Sequence, residues 1–187
     1  SVKMIRKALG EKRVITDFCV PITMGFPNPQ FKKELYADLE ERLKYYPSEP
    51  KTIAAKAAQN FNLSPNEVIV GNGSTELFYF LLGAKKRRIL TPVPTFGRWT
   101  DAPKSTGHYT HFFQRHESED YQLNTQNLFL DIEKNNIDTI IISNPNNPTG
   151  ALSSKQELLD IISRLQHLDL IIIDESFLDF SKQKEDV

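Results

Sequence analysis

After residue 66, short apolar runs alternate with amphipathic stretches along the chain. Runs rich in Ile, Val and aromatic residues predict β-strands, and apolar residues spaced by three or four predict the helices between them. This alternation is typical of a three-layer α/β fold, a mostly parallel sheet flanked by helices. The predicted strands are Glu67–Val70, Arg88–Thr91, Tyr109–Phe113, Thr139–Ser143 and Leu170–Asp174. The predicted helices between them are Ser74–Leu82, Phe96–Ser105, Thr125–Asn135 and Ser154–Leu165.

The N-terminal part of the chain has a different pattern. Prolines and a glycine among apolar residues in Asp17–Pro29 predict an extended arm rather than a helix. Apolar residues every four positions in Gln30–Tyr45 predict an amphipathic helix that ends before Pro47, and Lys51–Phe61 predicts a second helix. The expected domains are an N-terminal arm and helix, residues 1–50, and a partial α/β domain, residues 51–187.

Composition argues against several classes of protein but does not indicate a particular enzyme. Lys and Arg number 23 against 24 Asp and Glu, a net charge of −1, so charge gives no support for a nucleic-acid or membrane partner. The chain contains no apolar run of roughly 18 residues, the length of a membrane span. Cys19 has no second cysteine with which to form a disulfide, and we expect a cytoplasmic protein. The four histidines lack the spacing of a metal site.

A glycine-rich turn precedes one of the predicted helices. The segment Gly71–Glu76, GNGSTE, would direct backbone N–H groups and the positive end of the helix towards an anion such as a phosphate. The alternative is an ordinary glycine turn in which Ser74 caps the helix. A non-catalytic phosphate- or nucleotide-binding α/β module would need no more than this turn.

Two further motifs follow the last two predicted strands, at the sheet edge where open parallel sheets bind ligands. In SNPNNPTG, residues 143–150, two prolines restrict the loop so that an amide side chain can be held in one place. Asp174 ends an apolar strand, where a carboxylate is costly to bury without a cationic partner. The alternatives are a simple turn for the loop and a solvated strand end for Asp174.

Trp99 is the single tryptophan of the chain and follows the second predicted strand, in the segment PTFGRW. Its flat indole could cover a flat ligand ring. The alternative is a core residue on an amphipathic helix, a common use of tryptophan. The residues alone leave both interpretations open.

Together and in this order, YP, GNGSTE, PTFGRW, SNPNNPTG and IIIDESFLDF resemble the class I and II aminotransferases of fold type I. The branch that they resemble contains histidinol-phosphate aminotransferase and threonine-phosphate decarboxylase. The resemblance implies part of the large domain of a pyridoxal 5′-phosphate enzyme. It also implies a small-molecule substrate, an amino acid or a phosphorylated amino acid.

The resemblance further implies a role for each motif. Gly73, Ser74 and Thr75 would hold the cofactor phosphate, and Trp99 would stack on the pyridine ring. Asn147 would donate to the ring's phenolic oxygen, and Asp174 would pair with the protonated ring nitrogen. Tyr46 would reach the phosphate of the neighbouring subunit, which implies a homodimer.

Two departures from the family pattern matter. Phe177 stands where aminotransferases usually have a tyrosine, which favours the decarboxylase branch and makes threonine-phosphate-type decarboxylation the second interpretation. The Schiff-base lysine is expected nearly thirty residues after Asp174, and Lys182 and Lys184 lie too close to that aspartate. We therefore expect the 187 residues to be a truncated portion that alone retains little cofactor and shows no turnover.

Overall fold

The computed structural model describes residues 7–8, 25–83 and 85–182. Its internal contacts divide the chain into two compact units, Ser1–Ile53 and Ala54–Val187. The predicted arm, Asp17–Pro29, lies largely outside the described residues, and so does Lys184. Within the described part, none of the helices combines the length and apolarity needed to cross a membrane.

The first unit contains two short helices, α1 (Pro29–Ala37) and α2 (Leu39–Arg42), and helix α3 (Pro50–Phe61) begins in it. Asn28 caps α1 by accepting a hydrogen bond from the backbone N–H of Phe31. The prediction of one helix over Gln30–Tyr45 is wrong. Asp38 leaves helical geometry, with φ −106° and ψ 5°, and ends α1 before α2 begins.

A four-stranded parallel sheet forms the centre of the second unit, as the sequence predicted. The strand order is β2–β1–β3–β4, and each strand pairs in parallel with its neighbours. The strands are β1 (Arg88–Val93), β2 (Tyr109–Gln114), β3 (Thr139–Ser143) and β4 (Leu170–Asp174). The helices around them are α4 (Ser74–Leu82), α5 (Gly97–Ser105), α6 (Thr125–Lys134) and α7 (Lys155–Arg164).

The predicted three layers follow from the alternation of side chains along the strands. Successive residues of a strand point to opposite faces of the sheet. On one face α4 and α5 pack against the sheet, through Phe78, Leu82, Trp99, Ala102, Ile89, Ile141 and Ile172. On the other face α6 and α7 pack against it, through Leu128, Phe129, Ile132, Ile161, Leu165, Leu90, Ile140 and Ile142.

The predicted strand Glu67–Val70 is wrong. The backbone N–H of Ser64 donates to the Glu67 carboxylate at 2.8 Å, and the Ser64 hydroxyl accepts from the backbone N–H of Asn66 at 3.4 Å. This capping box makes Pro65–Glu67 a short 3₁₀ helix. Val68 has extended backbone geometry, but no described strand pairs with residues 68–70. Glu67, which the apolar pattern assigned to a strand, is therefore part of the capped 3₁₀ helix.

The strand register brings the carboxyl ends of the strands to one edge of the sheet. Val93 pairs with Gln114, and Ser143 pairs with Asp174. After the loop that follows β3, Ser154 caps α7 in a capping box with Glu157. The loops after β1, β2 and β3 and the end of β4 therefore lie at a common edge of the sheet, whereas the glycine turn before α4 does not follow a described strand.

Candidate functional site

Asp174 lies at the carboxyl end of β4, beside the end of β3. Its backbone C=O accepts a hydrogen bond from the Asn144 N–H at 2.9 Å, which continues the pairing of the two strands into the loop. The side chain is half-buried. The backbone of Asp174 is thus held by strand pairing, which fixes the point from which its side chain extends.

Donors from three different segments fix the carboxylate of Asp174. Oδ2 accepts from the indole Nε1–H of Trp99 at 2.7 Å and from the hydroxyl of Ser143 at 3.4 Å. Oδ1 accepts from the backbone N–H of Ser176 at 3.0 Å and also from its hydroxyl. The hydroxyl of Thr95 lies 3.5 Å from that of Ser143 and extends the network to the loop after β1. These contacts satisfy much of the carboxylate's acceptor capacity, yet none of them brings a positive charge.

Two of the three asparagines of the SNPNNPTG loop hold it in place through side-chain hydrogen bonds. The side chain of Asn144 exchanges hydrogen bonds with the backbone of Ser153, at 3.0 and 2.7 Å. Asn146 donates to the Pro94 carbonyl at 3.0 Å and to the Thr149 hydroxyl at 2.8 Å. Its Oδ1 is buried and has no hydrogen-bond partner among the described residues. Hydrogen bonds thus join the loop to the start of α7 and to the loop after β1, as a rigid loop would require.

Asn147 is the third asparagine of the loop, and its surroundings differ. The residue is half-buried, and within the described part of the chain its side-chain amide has no hydrogen-bond partner. Hydrogen bonds of Asn144 and Asn146 hold the backbone of the loop, so the Asn147 side chain extends from a well-defined position. A polar ligand atom at this sheet edge could bind it without displacing a protein contact.

Helix α4 begins at the glycine turn without a side-chain cap. Gly73 is the N-cap, at φ 83° and ψ 164°, a conformation that is essentially restricted to glycine. A Cβ built on Gly73 would meet no atom within 4 Å, so open space adjoins the helix start. Ser74 and Thr75 are exposed in the first turn. An anion could bind here through the first N–H groups of the helix and two hydroxyls.

Aromatic packing joins α4 to the residues around Asp174. The ring of Phe78 lies 3.7 Å, centroid to centroid, from the indole of Trp99, and 6.3 Å from the ring of Phe96. Phe78 is one helical turn beyond Ser74. The described contacts therefore run without a break from the glycine turn through Phe78 and Trp99 to Asp174.

Trp99 is a core residue in this structure. Only 1% of its surface is exposed, and it belongs to the cluster between α4, α5 and the sheet. Stacking of the indole on a ligand would require it to leave this cluster. Trp99, Ala102 and Pro103 are the buried residues of α5, and their spacing of three and four is the sequence signal for a core-facing position.

Phe96 is the aromatic residue that the sequence analysis missed. It directly precedes α5, three positions before Trp99, and 37% of its surface is exposed. Thr95, its neighbour, approaches Ser143 and so joins the Asp174 network. A position at the helix start, outside the apolar stripe of α5, was the signal that could have identified it. Phe96 thus has a partly exposed ring at the edge of the sheet.

A buried arginine follows β2 at the same edge. Arg115 donates its backbone N–H to the Val93 carbonyl at 2.8 Å and Nη1 to the Tyr121 carbonyl at 2.9 Å. Its Nε has no partner, and no described carboxylate forms an ion pair with it. Burial lowers the pKa of the Arg115 guanidinium to about 10.

The remaining predicted residues have simpler surroundings. Tyr46 belongs to the first unit, is 99% exposed, and lines a groove there with Tyr45 and Pro47. Phe177 is half-buried, with its ring centroid 6.2 Å from that of Phe180. Among the residues that the structure describes, no group of three or more His, Cys, Asp or Glu side chains could hold a metal ion.

Gly73 and Asp174 offer separate contacts, the first for an anion such as a phosphate and the second for a cationic group such as a protonated ring. Gly73 leaves room beside N–H donors, and Asp174 supplies a fixed negative charge without a described cationic partner. The profile of class I and II aminotransferases matches residues 26–187. The chain belongs to this family. Members of the class I and II aminotransferases use pyridoxal phosphate, which has such a phosphate and such a ring.

The relatives within this family include both aminotransferases and decarboxylases. The chain is 30% identical over 149 residues to L-serine phosphate decarboxylase of Campylobacter jejuni, covering 79% of this chain and 38% of the relative. It is 30% identical over 177 residues to histidinol-phosphate aminotransferase of Clostridium novyi, covering 92% of this chain and 49% of the relative. Family membership therefore leaves the reaction open.

A solved structure supports the class I and II aminotransferase fold. A decarboxylase from Sulfurospirillum multivorans superposes with a TM-score of 0.82 at 24% identity, over 100% of this chain and 50% of that one. The chain thus spans between 38% and 50% of the length of these three relatives. The four-stranded parallel sheet and its helices form part of a fold type I domain, as predicted.

Proposed function

We propose that this chain supplies the cofactor-binding part of a pyridoxal-phosphate aminotransferase that acts on an amino acid or a phosphorylated amino acid. The observation that carries the proposal is the carboxylate of Asp174, fixed at the end of β4 by Trp99, Ser143 and Ser176. A simple phosphate-binding module would need no such carboxylate. When bound, pyridoxal phosphate draws in the electrons of a bond that breaks at the substrate α-carbon.

Asp174 would hold the proton on the ring nitrogen. A carboxylate that accepts from a ring N–H keeps the ring cationic, which the chemistry of the cofactor requires. The neutral donors around Asp174 orient its oxygens without neutralising its charge. The negative charge therefore remains available to the ring.

The start of α4 would bind the phosphate. Gly73, Ser74 and Thr75 combine open space, backbone N–H groups and hydroxyls at the positive end of the helix. Asn147, whose amide is free of described hydrogen bonds, would donate to the phenolic oxygen of the ring. These two contacts would set the position and the rotation of the ring.

Phe96 would cover the face of the ring. Its ring is partly exposed, whereas the indole of Trp99 is enclosed in the core. We therefore propose Phe96 for the stacking contact that the sequence assigned to Trp99. Tyr46 is proposed to reach the phosphate site of the neighbouring subunit in a homodimer.

Binding of a cofactor analogue tests this site directly. Pyridoxine 5′-phosphate has the ring and the phosphate but no aldehyde, so it cannot react with surface lysines. We expect it to shift the backbone NMR signals of residues 73–75. Asp174→Asn should weaken binding about tenfold or more, because a hydrogen bond to a charged group contributes about 1.5–3 kcal/mol.

Glu175→Gln is the matched control for this test. Glu175 is the exposed neighbour of Asp174, so its neutralisation removes a charge from the same region without altering the network. Binding to this variant should equal that of the unmodified chain. Equal binding by the Asp174→Asn variant would contradict the proposed role of the carboxylate.

Decarboxylation of a phosphorylated amino acid is the second candidate reaction. Phe177 lacks the hydroxyl that the aminotransferase pattern places there, and L-serine phosphate decarboxylase is among the relatives. The intact gene product, supplied with pyridoxal phosphate and O-phospho-L-serine, should distinguish the two. Carbon dioxide release without an added 2-oxo acid indicates decarboxylation, and amino-group transfer to a 2-oxo acid indicates transamination.

The non-catalytic module predicts a different result in both experiments. It would bind inorganic phosphate and pyridoxine 5′-phosphate equally well, because only the helix start would contribute. It would also give no visible absorbance band when the intact gene product is mixed with pyridoxal phosphate. That pair of results would overturn the enzyme proposal.

A further inference from the structure

The hydrogen bond between Trp99 and Asp174 links the core to the charged group of the site. At 2.7 Å it is the shorter of the two described contacts to Oδ2, and its donor comes from α5 rather than from the sheet. The sequence contains a single tryptophan. This one indole therefore has a specific contact that the stacking interpretation did not foresee.

The indole has little freedom to leave this contact. Its ring packs on Phe78, and its exposed surface is 1%. Ala102, one turn further along α5, and Ile172 of β4 belong to the same apolar cluster. Rotation of the Trp99 side chain would open this cluster, which is costly in a close-packed interior. The packing thus fixes the position of the N–H.

An indole N–H can only donate a hydrogen bond. It can therefore bind a carboxylate oxygen, but it cannot accept the proton of a ring nitrogen or take part in acid–base exchange near neutral pH. Ser143 and Ser176 have hydroxyls that can rotate and serve as donor or acceptor. Of the described side chains that contact Asp174, only that of Trp99 offers a donor with one fixed polarity and direction.

We infer that Trp99 is a positioning residue that acts through Asp174. Its N–H holds Oδ2 so that the carboxylate faces the ring nitrogen of the cofactor in one orientation. This inference rests on the proposed function, because Asp174 must be the partner of the ring. In this role Trp99 touches neither the cofactor nor the substrate. It contributes through the hydrogen bond that its indole N–H donates to Asp174.

The contact itself can be tested in the 187-residue chain without any cofactor. The single indole gives one ¹H–¹⁵N signal, and a hydrogen bond to a carboxylate should move its proton downfield. Asp174→Asn replaces the charged acceptor by a neutral one and should move the signal upfield. Glu175→Gln should leave it unchanged. An indole signal that does not respond to Asp174→Asn would overturn the inference.

The positioning role needs a second measurement with pyridoxine 5′-phosphate. Trp99→Phe keeps an aromatic ring in the core but removes the N–H. We expect binding to weaken about threefold to tenfold, the effect of losing roughly one hydrogen bond. The ultraviolet spectrum of the bound analogue should also show a smaller protonated fraction of the ring at neutral pH, which loss of packing alone would not produce.

The outcomes separate this inference from the proposed function. If Trp99→Phe binds the analogue as the unmodified chain does, with the same ring protonation, the positioning role is wrong and the site assignment stands. If the unmodified chain leaves the analogue unbound and the intact gene product shows no absorbance band with pyridoxal phosphate, the proposed function fails and the inference fails with it. A response of the indole to Asp174→Asn, together with a changed ring spectrum in Trp99→Phe, supports both.

Discussion

Arg115 carries a positive charge into the interior beside β2. It is 4% exposed, and burial lowers the pKa of its guanidinium to about 10. A lowered pKa of a base means that the fold disfavours the charged form, so the charge reduces stability at neutral pH. We expect Arg115→Met to stabilise the chain by about 1–3 kcal/mol, less the hydrogen bond to Tyr121.

Urea unfolding of the Arg115→Met variant tests this expectation. Between pH 6 and 9 arginine is charged in both the folded and the unfolded state, so the gain should not depend on pH there. Arg98→Met is the matched control, because Arg98 is exposed, and its effect should stay within about 0.5 kcal/mol. A marked destabilisation by Arg115→Met would show that the Tyr121 contact outweighs the buried charge.

We expect His108 to make the free energy of unfolding depend on pH. Burial, followed by the charges of Lys86 and Arg87, lowers the pKa of His108, and Asp138 opposes this in part. The folded protein therefore keeps His108 neutral at pH values where the unfolded chain, with its ordinary pKa of about 6.5, binds a proton. Stability should fall as the pH decreases from 7.5 to 5.5.

The variant His108→Asn isolates this effect. The imidazole Nδ1 accepts from the Arg87 N–H at 3.2 Å, and the Asn Oδ1 can replace that acceptor without titrating. The urea midpoint of the variant should fall less between pH 7.5 and 5.5 than that of the unmodified chain. An equal loss in both would assign the pH dependence to other groups.

For individual residues, the sequence predicted where in the fold a side chain lies better than it predicted which side chains it contacts. Asp174 and the SNPNNPTG loop could be located because they follow strongly apolar strands, whose carboxyl ends meet at one edge. The partner of Asp174 could not be found in this way. The bond between Trp99 and Asp174 joins α5 to β4, and such a pairing depends on tertiary packing rather than on local sequence.

Helix α4 combines a buried face with an exposed one. Phe78 is 4% exposed, whereas Phe80, two residues further, is 62% exposed. Phe78→Ala should cost about 3–5 kcal/mol in urea unfolding, because it leaves a cavity against Trp99. Phe80→Ala, the matched variant on the same helix, should cost less than about 1 kcal/mol. Similar costs for both would contradict the packing of α4.

Element prediction succeeded where the period of the pattern was unambiguous. Thr139–Ser143 and Leu170–Asp174 agree with the structure to the residue, because β-branched runs between polar stretches leave a single assignment. It failed at two places. Glu67 belongs to a capping box with Ser64, so a polar side chain that binds the backbone locally replaces the strand. At Asp38 the backbone leaves helical geometry without a side-chain cap, which the helical periodicity of the stretch did not reveal.

At the scale of the whole molecule, α4 exposes Tyr79, Phe80 and Leu81 in succession. Exposed large apolar side chains promote association in water. We expect the chain to show concentration-dependent self-association in sedimentation velocity, and Phe80→Ser to shift it towards monomer. Leu130→Ser is the control, because Leu130 is equally exposed on α6, which packs on the opposite face of the sheet. An equal shift with both variants would argue against a specific surface on α4.

The fold class could be predicted because alternating strands and helices allow few arrangements. The homodimer stays a prediction, since subunit contacts depend on surface complementarity that a single sequence does not encode in its periodicity. The reaction is open for a similar reason. The bond that breaks at the substrate depends on the orientation of the substrate, and the residues of the proposed site would contact mainly the cofactor.

The strand order β2–β1–β3–β4 has a consequence for biosynthesis. As the polypeptide leaves the ribosome, β1 emerges first, β2 joins one of its sides, and β3 and then β4 extend the other. Among the four described strands, none has to insert between two that are already paired. The nascent chain can therefore add these strands to the sheet in the order of translation. Trp99 and Ser143, which contact the carboxylate at the end of β4, are synthesised before it.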